Sequence, residues 1–306
     1  MSHLDQHAAA AFGAGSETRQ LRIHRAAAIV MLAAAWMGLP SRLEAGAVNV
    51  VVVVDESRSM VDEHAWLPGM MHTLSMELIN LGYAPTFGLY GFGYGGAVLG
   101  RELLDNGTAE EFATASAGLV ASGGAEDGYA GIDFAFRNFS FTPGAAVNVI
   151  LVTDEDRDTA DASLTFASTL ALLQGRGALL NAVVNNVFTC DAGAALGIDS
   201  FGNGYNANGA GGYSTCSNGA AGEGFGRTTR AYVKLALETT GASWDLNQLR
   251  AGGPAADSFT EAFIDIKVRE IGRQVTAQTP EPGSITLVAL GLAAVCLARK
   301  RRQPAK

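Results

Sequence analysis

Apolar residues in this chain fall into continuous runs and helical stripes that alternate between residues 48 and 275. Val48–Val54 and Ala146–Val152 are largely apolar runs, and such runs indicate strands that are buried on both faces of a sheet. Met60–Leu81 instead carries its large apolar residues at intervals of three and four, which is the spacing of a helix. Strands that alternate with helices predict an α/β fold with a doubly wound, mostly parallel sheet and helices on both faces.

The same pattern gives the individual elements. Predicted strands are Val48–Val54, Thr86–Phe92, Val147–Val152, Ala178–Phe188 and Ser243–Leu246, and Gly93–Glu102 is predicted to turn back as one antiparallel edge strand. Predicted helices are Met60–Leu81, Thr108–Leu119, Tyr129–Phe139, Asp161–Leu173, Thr229–Thr239 and Phe259–Val275.

Residues 189–226 interrupt the alternation, because they are rich in Gly, Asn, Ala and Ser and show almost no aliphatic spacing. Cys190 and Cys216 lie in this insertion with 25 residues between them. In an exported protein these two cysteines should form a disulfide. The insertion follows a strand whose carboxyl end should lie at the edge of the sheet where such folds bind ligands. The insertion could therefore be a recognition surface, or it could be an addition that the fold merely tolerates.

The N-terminal region has the layout of a secretory signal peptide. Arg19–Arg25 is basic, Ala26–Leu39 is apolar, and Ala45–Ala47 forms an A-x-A cleavage signal. Residues 1–47 are therefore predicted to be removed on export. An N-terminal membrane anchor is the alternative, although the apolar run is short for a membrane span.

The C-terminal region 279–306 places Pro280–Pro282 before an apolar stretch at about 284–298 and a basic cluster at Arg299–Arg302. This order resembles the PEP-CTERM sorting signal, which an exosortase reads in Gram-negative bacteria. The resemblance implies a transmembrane helix that holds the chain briefly in the inner membrane. Processing would then send the protein to the cell surface, the outer envelope or the extracellular matrix. A plain tail anchor is the alternative reading of the same residues.

Between these ends, residues 48–278 are predicted to form one domain. The whole chain has a formal net charge of −9, and residues 48–282, with 12 basic and 27 acidic side chains, have a net charge of −15. A domain with this negative charge is unsuited to binding nucleic acid, because phosphate binding needs clustered Lys and Arg. It does suit bound cations.

Oxygen-bearing side chains cluster where the predicted central strands end. Asp55, Ser57 and Ser59 alternate directly after the first strand, and Asp154 follows the strand that ends at Val152. A doubly wound sheet binds its ligands at these strand ends, where the strand order reverses. Carboxylate and hydroxyl oxygens are the ligands that Mg²⁺ and Ca²⁺ prefer, although a surface turn could carry the same residues.

The segment Asp55–Ser59 resembles the metal-ion-dependent adhesion site of von Willebrand factor A domains, which are Rossmann-like. The resemblance implies that Ser57 and Ser59 contact the ion, with Asp55 and Asp154 acting directly or through water. A third loop in the family usually supplies Thr, but the matching position here holds Glu126, as in the β-subunit domains of integrins. Asp127 is the alternative ligand in that loop. The implied ion is Mg²⁺ or Ca²⁺, with Mn²⁺ also possible.

These features predict an exported surface or envelope protein, not an enzyme, that binds an extracellular protein or exopolysaccharide through a divalent cation. A matrix protein with a purely structural metal and a metal-assisted hydrolase are the alternatives. Three carboxylates around a divalent ion leave the site net negative, so an acidic partner should be attracted less than is usual for the family.

Overall fold

A computed structural model describes residues 46–95 and 99–278. The predicted signal peptide, apart from its last two residues, and the predicted sorting segment with its helix at about 284–298 lie outside the described residues. Within the described residues, no helix is long and apolar enough to cross a membrane.

The centre of the domain is a nine-stranded sheet with the order β10-β9-β8-β12-β5-β4-β1-β2-β3. The neighbours from β12 to β2 pair in parallel, β3 is antiparallel to β2, and β8 to β10 continue antiparallel beyond β12. A second sheet has three strands in the order β11-β6-β7. The strands are β1 Gly46–Asp55, β2 Tyr83–Phe92, β3 Arg101–Gly107, β4 Ala146–Thr153, β5 Leu179–Val184, β6 Asn186–Cys190, β7 Gly193–Ala195, β8 Gly197–Asp199, β9 Gly204–Ala207, β10 Tyr213–Cys216, β11 Ala220–Gly224 and β12 Ala242–Asp245.

The helices cover both faces of the large sheet. They are α1 Leu67–Asn80, α2 Ala109–Ser116, α3 Gly128–Asn138, α4 Phe166–Gly175, α5 Lys234–Glu238, α6 Leu246–Arg250 and α7 Gly253–Gln278. A π-helical turn, Thr229–Val233, runs directly into α5. The doubly wound, mostly parallel α/β fold is thus confirmed. An antiparallel edge strand follows β2 as predicted, but it spans Arg101–Gly107 instead of Gly93–Glu102.

The valine run of β1 shows how one strand serves two cores. Val48, Val50, Val52 and Val54 pack in a cluster with α1, α2 and α7, whereas Val51 and Val53 pack with α3, α4 and α5 on the opposite face. Since successive side chains of a strand point to opposite faces, an unbroken apolar run fits only a strand that is covered on both sides.

The first helix begins later than its apolar spacing predicts. Arg58–Met60 and Glu63–Trp66 form short 3₁₀ turns, and α1 begins at Leu67 with Pro68 in its first turn. Proline is common in the first turn of a helix, because the backbone N–H groups there have no partner within the helix and its missing N–H costs nothing. The predicted helix Met60–Leu81 is therefore wrong in its first two turns.

The insertion 189–226 is built of short strands rather than irregular chain. It contains β7 to β11, and three of these strands extend the main sheet beyond β12. Tyr205 of β9 stacks on Trp244 of β12 with ring centroids 5.3 Å apart, which ties the added strands to the core. Cys190 and Cys216 are bonded, so the predicted disulfide is confirmed.

Candidate metal centre

The strand order reverses between β1 and β4, and the loops that leave these two strands meet at that point. From β1 the chain proceeds outward through β2 to β3, and from β4 it proceeds the other way through β5 to β12. Open α/β sheets bind ligands at such a reversal, outside the carboxyl ends of the strands. Asp55 is the last residue of β1, and Asp154 directly follows β4.

Three carboxylates converge there. Asp55, Glu126 and Asp154 each offer an oxygen, and these oxygens lie within 4.8 Å of one another. All three side chains belong to buried residues, of which none is more than 6% exposed. Because buried carboxylates repel one another and lose hydration, such a cluster needs protons or a cation. The acidic triad could therefore hold a metal ion.

The two serines complete the same cluster through hydrogen bonds. The hydroxyl oxygens of Ser57 and Ser59 are 3.0 Å apart, and Ser59 donates to Oδ1 of Asp154 at 3.0 Å. Asp55 is held in place by two donors at 2.8 Å, the backbone N–H of Ser57 and the hydroxyl of Thr153. The structure thus brings together all five metal-ligand candidates of the sequence analysis.

Glu126 and Asp127 point in different directions, although they are neighbours in the chain. Asp127 caps α3 by accepting from the backbone N–H groups of Tyr129 and Ala130, and it also accepts from Nε and Nη2 of Arg157. Glu126 belongs to the carboxylate cluster, and its Oε2 is buried without a hydrogen-bond partner among the described residues. Burying a carboxylate oxygen without a partner costs free energy, so Oε2 of Glu126 is well placed to coordinate a cation.

Burial raises the pKa of two carboxyls in the cluster. It raises the pKa of Asp55 from 3.8 to about 6, against the hydrogen bonds from Ser57 and Thr153, which favour the ionised form. Burial, with added repulsion from Asp55 and Glu155, raises the pKa of Glu126 from 4.5 to about 9. Without a cation, Glu126 therefore keeps its proton up to about pH 9 and Asp55 keeps its proton up to about pH 6, and a bound cation would displace these protons.

Glycine lets two loops approach the cluster. Gly93 has a positive φ of 81°, and a Cβ at this position would lie 3.1 Å from Oδ1 of Asp55. A Cβ on Gly123 would overlap the carbonyl oxygen of Gly93. The main chains beyond β2 and before α3 can therefore close around Asp55 only because both positions lack a side chain.

Ion pairs that the sequence analysis missed surround the cluster. Arg250, at the end of α6, pairs with Glu63 and donates to Oδ2 of Asp154 at 2.8 Å. Glu56 pairs with Arg101 of the edge strand. No sequence signal could have found Arg250, because 95 residues separate it from Asp154 and no local motif links them.

Three solved structures show what this chain resembles. It matches an aerotolerance-related membrane protein from Bacteroides fragilis NCTC 9343 at 14% identity, covering 75% of this chain and 99% of that one with a TM-score of 0.41. It matches BatB from Bacteroides thetaiotaomicron at 16% identity, covering 74% and 99% with a TM-score of 0.44. A von Willebrand factor type A protein from Catenulispora acidiphila matches at 18% identity over 45% of this chain and 33% of that one, with a TM-score of 0.35. The fold assignment rests on the strand order and helix layers described above.

No curated protein matches this sequence. One family model does match: residues 278–302 fit the PEP-CTERM protein-sorting motif. This match confirms the resemblance inferred from Pro280–Pro282, the apolar stretch and the basic cluster. The chain carries the sorting signal of exported proteins of Gram-negative bacteria, which pass through a membrane and are processed by an exosortase.

Proposed function

We propose that this protein binds an extracellular protein or polysaccharide through a divalent cation held at the strand-end rim. One observation carries the proposal: the buried Oε2 of Glu126 has no hydrogen-bond partner among the described residues, and it belongs to a cluster with Asp55 and Asp154. Mg²⁺ and Ca²⁺ take oxygen ligands of this kind, and Mn²⁺ shares the preference.

The residues divide the work by chemistry. Ser57 and Ser59 would offer neutral hydroxyl oxygens, and Asp55, Glu126 and Asp154 would offer charge, either directly or through water. The bound cation would supply a positive centre for an oxygen atom of the partner. Thr153 and Arg250 orient Asp55 and Asp154 from behind, which limits how far these carboxylates can turn.

A purely structural metal is the weaker proposal, because protein contacts already join the loops. Glu126 and Asp158 exchange two hydrogen bonds, at 2.9 and 2.7 Å, between the loop before α3 and the loop after β4. Ser57 forms a parallel bridge with Gly123, and Arg250 joins α6 to Asp154. Since these contacts hold the loops without an ion, a cation adds binding capacity more than cohesion.

We also propose that the protein is not an enzyme. The cluster offers carboxylates, but those carboxylates would be metal ligands and so would not be free to act as a general base. The proposed location is the cell surface, outer envelope or extracellular matrix, after removal of the signal peptide and processing of the sorting segment.

Cation titration tests the proposal. Calorimetry with Mg²⁺, Ca²⁺ and Mn²⁺ should show saturable binding at one site, and Asp55→Asn should abolish it while keeping the side-chain shape. Asp133→Asn is the matched control, because Asp133 pairs with Arg137 on the surface of α3. Capture of matrix components with and without chelator then tests the partner step.

Two results would reject it. Equal cation binding by the native protein and the Asp55→Asn variant would show that the cation does not bind at the proposed metal centre. Cation binding without any cation-dependent capture would leave the metal with a structural role.

A further inference from the structure

A cavity of about 390 Å³ opens beside the ion pair between Asp127 and Arg157, outside the five-residue metal centre. It lies between the loop after β4, the first turn of α3 and the π-helical turn before α5. We call it the arginine cleft; its lining includes Tyr129, Arg157, Thr159, Phe166, Arg227 and Arg230. Its volume is within the range of roughly 300–1,000 Å³ that is usual for small-ligand sites.

The positive charges of the arginine cleft differ in how far they are already neutralised. Arg157 is committed to Asp127 with two contacts, at 2.6 and 2.9 Å. Arg227 is 59% exposed and meets Asp156 at 3.3 Å. The side chain of Arg230 is exposed and makes no ion pair or hydrogen bond in the part of the chain that the structure describes.

A positive cleft is unusual on this molecule. Residues 48–282 carry a net charge of −15 with only 12 basic side chains, yet three of those side chains line one cavity. Lys234 adds a fourth cation at the edge, with its Nζ 5.2 Å from the ring centroid of Phe166. Arg230 and Lys234 make no ion pair among the described residues, so their charges are available to an anion even on this acidic protein.

Two aromatic rings form part of the remaining lining. Phe166 is half-buried, and the ring of Tyr129 has the guanidinium of Arg157 4.5 Å from its centroid. Thr159 lines the cleft with a positive φ of 57°, which is rare for a β-branched residue and persists only where its surroundings enforce it. The cleft thus joins a fixed aromatic wall to a free guanidinium.

We infer that the arginine cleft binds an acidic saccharide, with the carboxylate of a uronic acid residue on Arg230 and Arg227 and the sugar ring against Phe166. A guanidinium fork matches the two oxygens of a carboxylate. The C–H face of a pyranose offers apolar surface to an aromatic ring, and its hydroxyls can meet Thr159 and the guanidinium edges. A glutamate side chain satisfies the arginines but leaves the aromatic wall uncovered.

This inference does not rest on the metal centre, because none of the cleft residues is a proposed ligand. It also resolves a conflict of charge. Three carboxylates around a divalent ion weaken the attraction of the metal centre for acidic partners, whereas the arginine cleft supplies that attraction separately. One acidic polymer could then be held at the cleft whatever the state of the cation.

Calorimetry on the whole protein with three probes tests the inference: trigalacturonate, neutral maltotriose and penta-glutamate. Each probe is titrated in Mg²⁺ and again in EDTA. Trigalacturonate should bind saturably in both buffers and more tightly than the other two probes. Arg230→Gln should weaken this binding about tenfold, since it removes a charge-assisted contact, and Arg230→Lys should restore part of the loss.

Arg176→Gln is the control, because Arg176 is also an exposed arginine over an aromatic ring, that of Phe141, but lies outside the cleft. It should leave trigalacturonate binding unchanged. Four results would overturn the inference: no trigalacturonate binding, loss of binding in EDTA, equal weakening by Arg176→Gln, or equal affinity for maltotriose or penta-glutamate. The last result with penta-glutamate would assign the cleft to acidic peptides.

Discussion

Glu126 and Asp127 show at the residue scale how one loop serves structure and chemistry together. Asp127 is used up by the cap of α3 and by Arg157, so it fixes the backbone from which Glu126 projects. Glu126 then reaches the carboxylate cluster with one oxygen unpaired among the described residues. Both side chains are carboxylates, so their different roles follow from the directions in which the side chains point and not from their residue type.

Replacing Glu126 should change which ligands the metal centre accepts. Glu126→Thr removes a negative ligand, so cation affinity should fall about tenfold or more while binding of a carboxylate-bearing ligand increases. Calorimetry with Mg²⁺ and then with acetate measures both effects.

Glu155→Gln is the control for Glu126→Thr, because it removes a nearby charge outside the proposed ligand set. It should change cation affinity far less. If Glu126→Thr also leaves both affinities unchanged, then Glu126 is only a buried acid at the start of α3.

The match to the family's third loop pointed to Glu126, but no residue pattern separated it from Asp127, since the choice depends on side-chain direction. Arg250 was beyond sequence reasoning altogether. Its contact with Asp154 depends on how α6 follows β12, and β12 reaches the neighbourhood of β4 only through the sheet order. Ligand candidates that follow recognisable strand ends or match a family motif can be predicted even from separate loops, whereas supporting residues without such a signal cannot.

At the scale of elements, the strength of the hydrophobic pattern determined which strands and helices could be predicted from the sequence. The long apolar strands β1 and β4 were predicted and are present, and so is helix α2, which begins with a capping box of Thr108 and Glu111. The strands β8, β9 and β10 have only three or four residues, and β8 and β9 each begin with glycine, so no alternation is visible. They form because β12 offers a free edge, the Tyr205–Trp244 stack packs them, and the disulfide holds them.

Helix α7 carries a buried ion pair that links it to the sheet. Lys267 and Glu270 are essentially unexposed, and Glu270 accepts from Nδ2 of Asn181 in β5 at 2.7 Å. Asn181 in turn accepts from Nε1 of Trp244 in β12 at 2.9 Å. Burial lowers the pKa of Lys267 and raises the pKa of Glu270, so each charge depends on the other.

Breaking this pair from one side should destabilise the domain strongly. Lys267→Met leaves Glu270 buried without its cation, which should lower the free energy of unfolding by about 3–5 kcal/mol. The double variant Lys267→Met with Glu270→Gln keeps the acceptor for Asn181 and removes the lone charge, so most of that loss should return. Denaturant unfolding of both variants measures the difference. Equal losses in the two variants would mean that packing, not charge, sets the cost.

At the scale of the whole molecule, we expect the acidic rim to couple folding to pH and to cations. A protein with a net charge of −15 over residues 48–282 gathers three carboxylates at one buried point. Arg250 pairs with Asp154, so protons or a metal cation are needed mainly to offset the repulsion between Asp55 and Glu126. The arginine cleft lies on the same rim with the opposite charge. The rim as a whole therefore places the proposed metal centre next to the proposed anion site.

The stability of the cation-free protein should therefore fall as pH rises from about 4 to about 9. The folded protein keeps a proton on Asp55 up to about pH 6 and on Glu126 up to about pH 9, whereas the unfolded chain releases both near their ordinary values of 3.8 and 4.5. The folded state binds more protons in this range, so its advantage is complete below pH 4 and is lost as pH rises through the folded-state values. A bound cation displaces these protons, so cation affinity and the stability gained from it should increase over the same range.

Denaturant unfolding in EDTA and in Mg²⁺, at about pH 5 and about pH 9, separates the two trends. Glu126→Gln should remove the part of the cation-free decline that lies above about pH 6, because its amide does not titrate. A cation-free profile that stays flat, or one that Mg²⁺ shifts equally at both pH values, would show that the cluster is not the origin of the coupling.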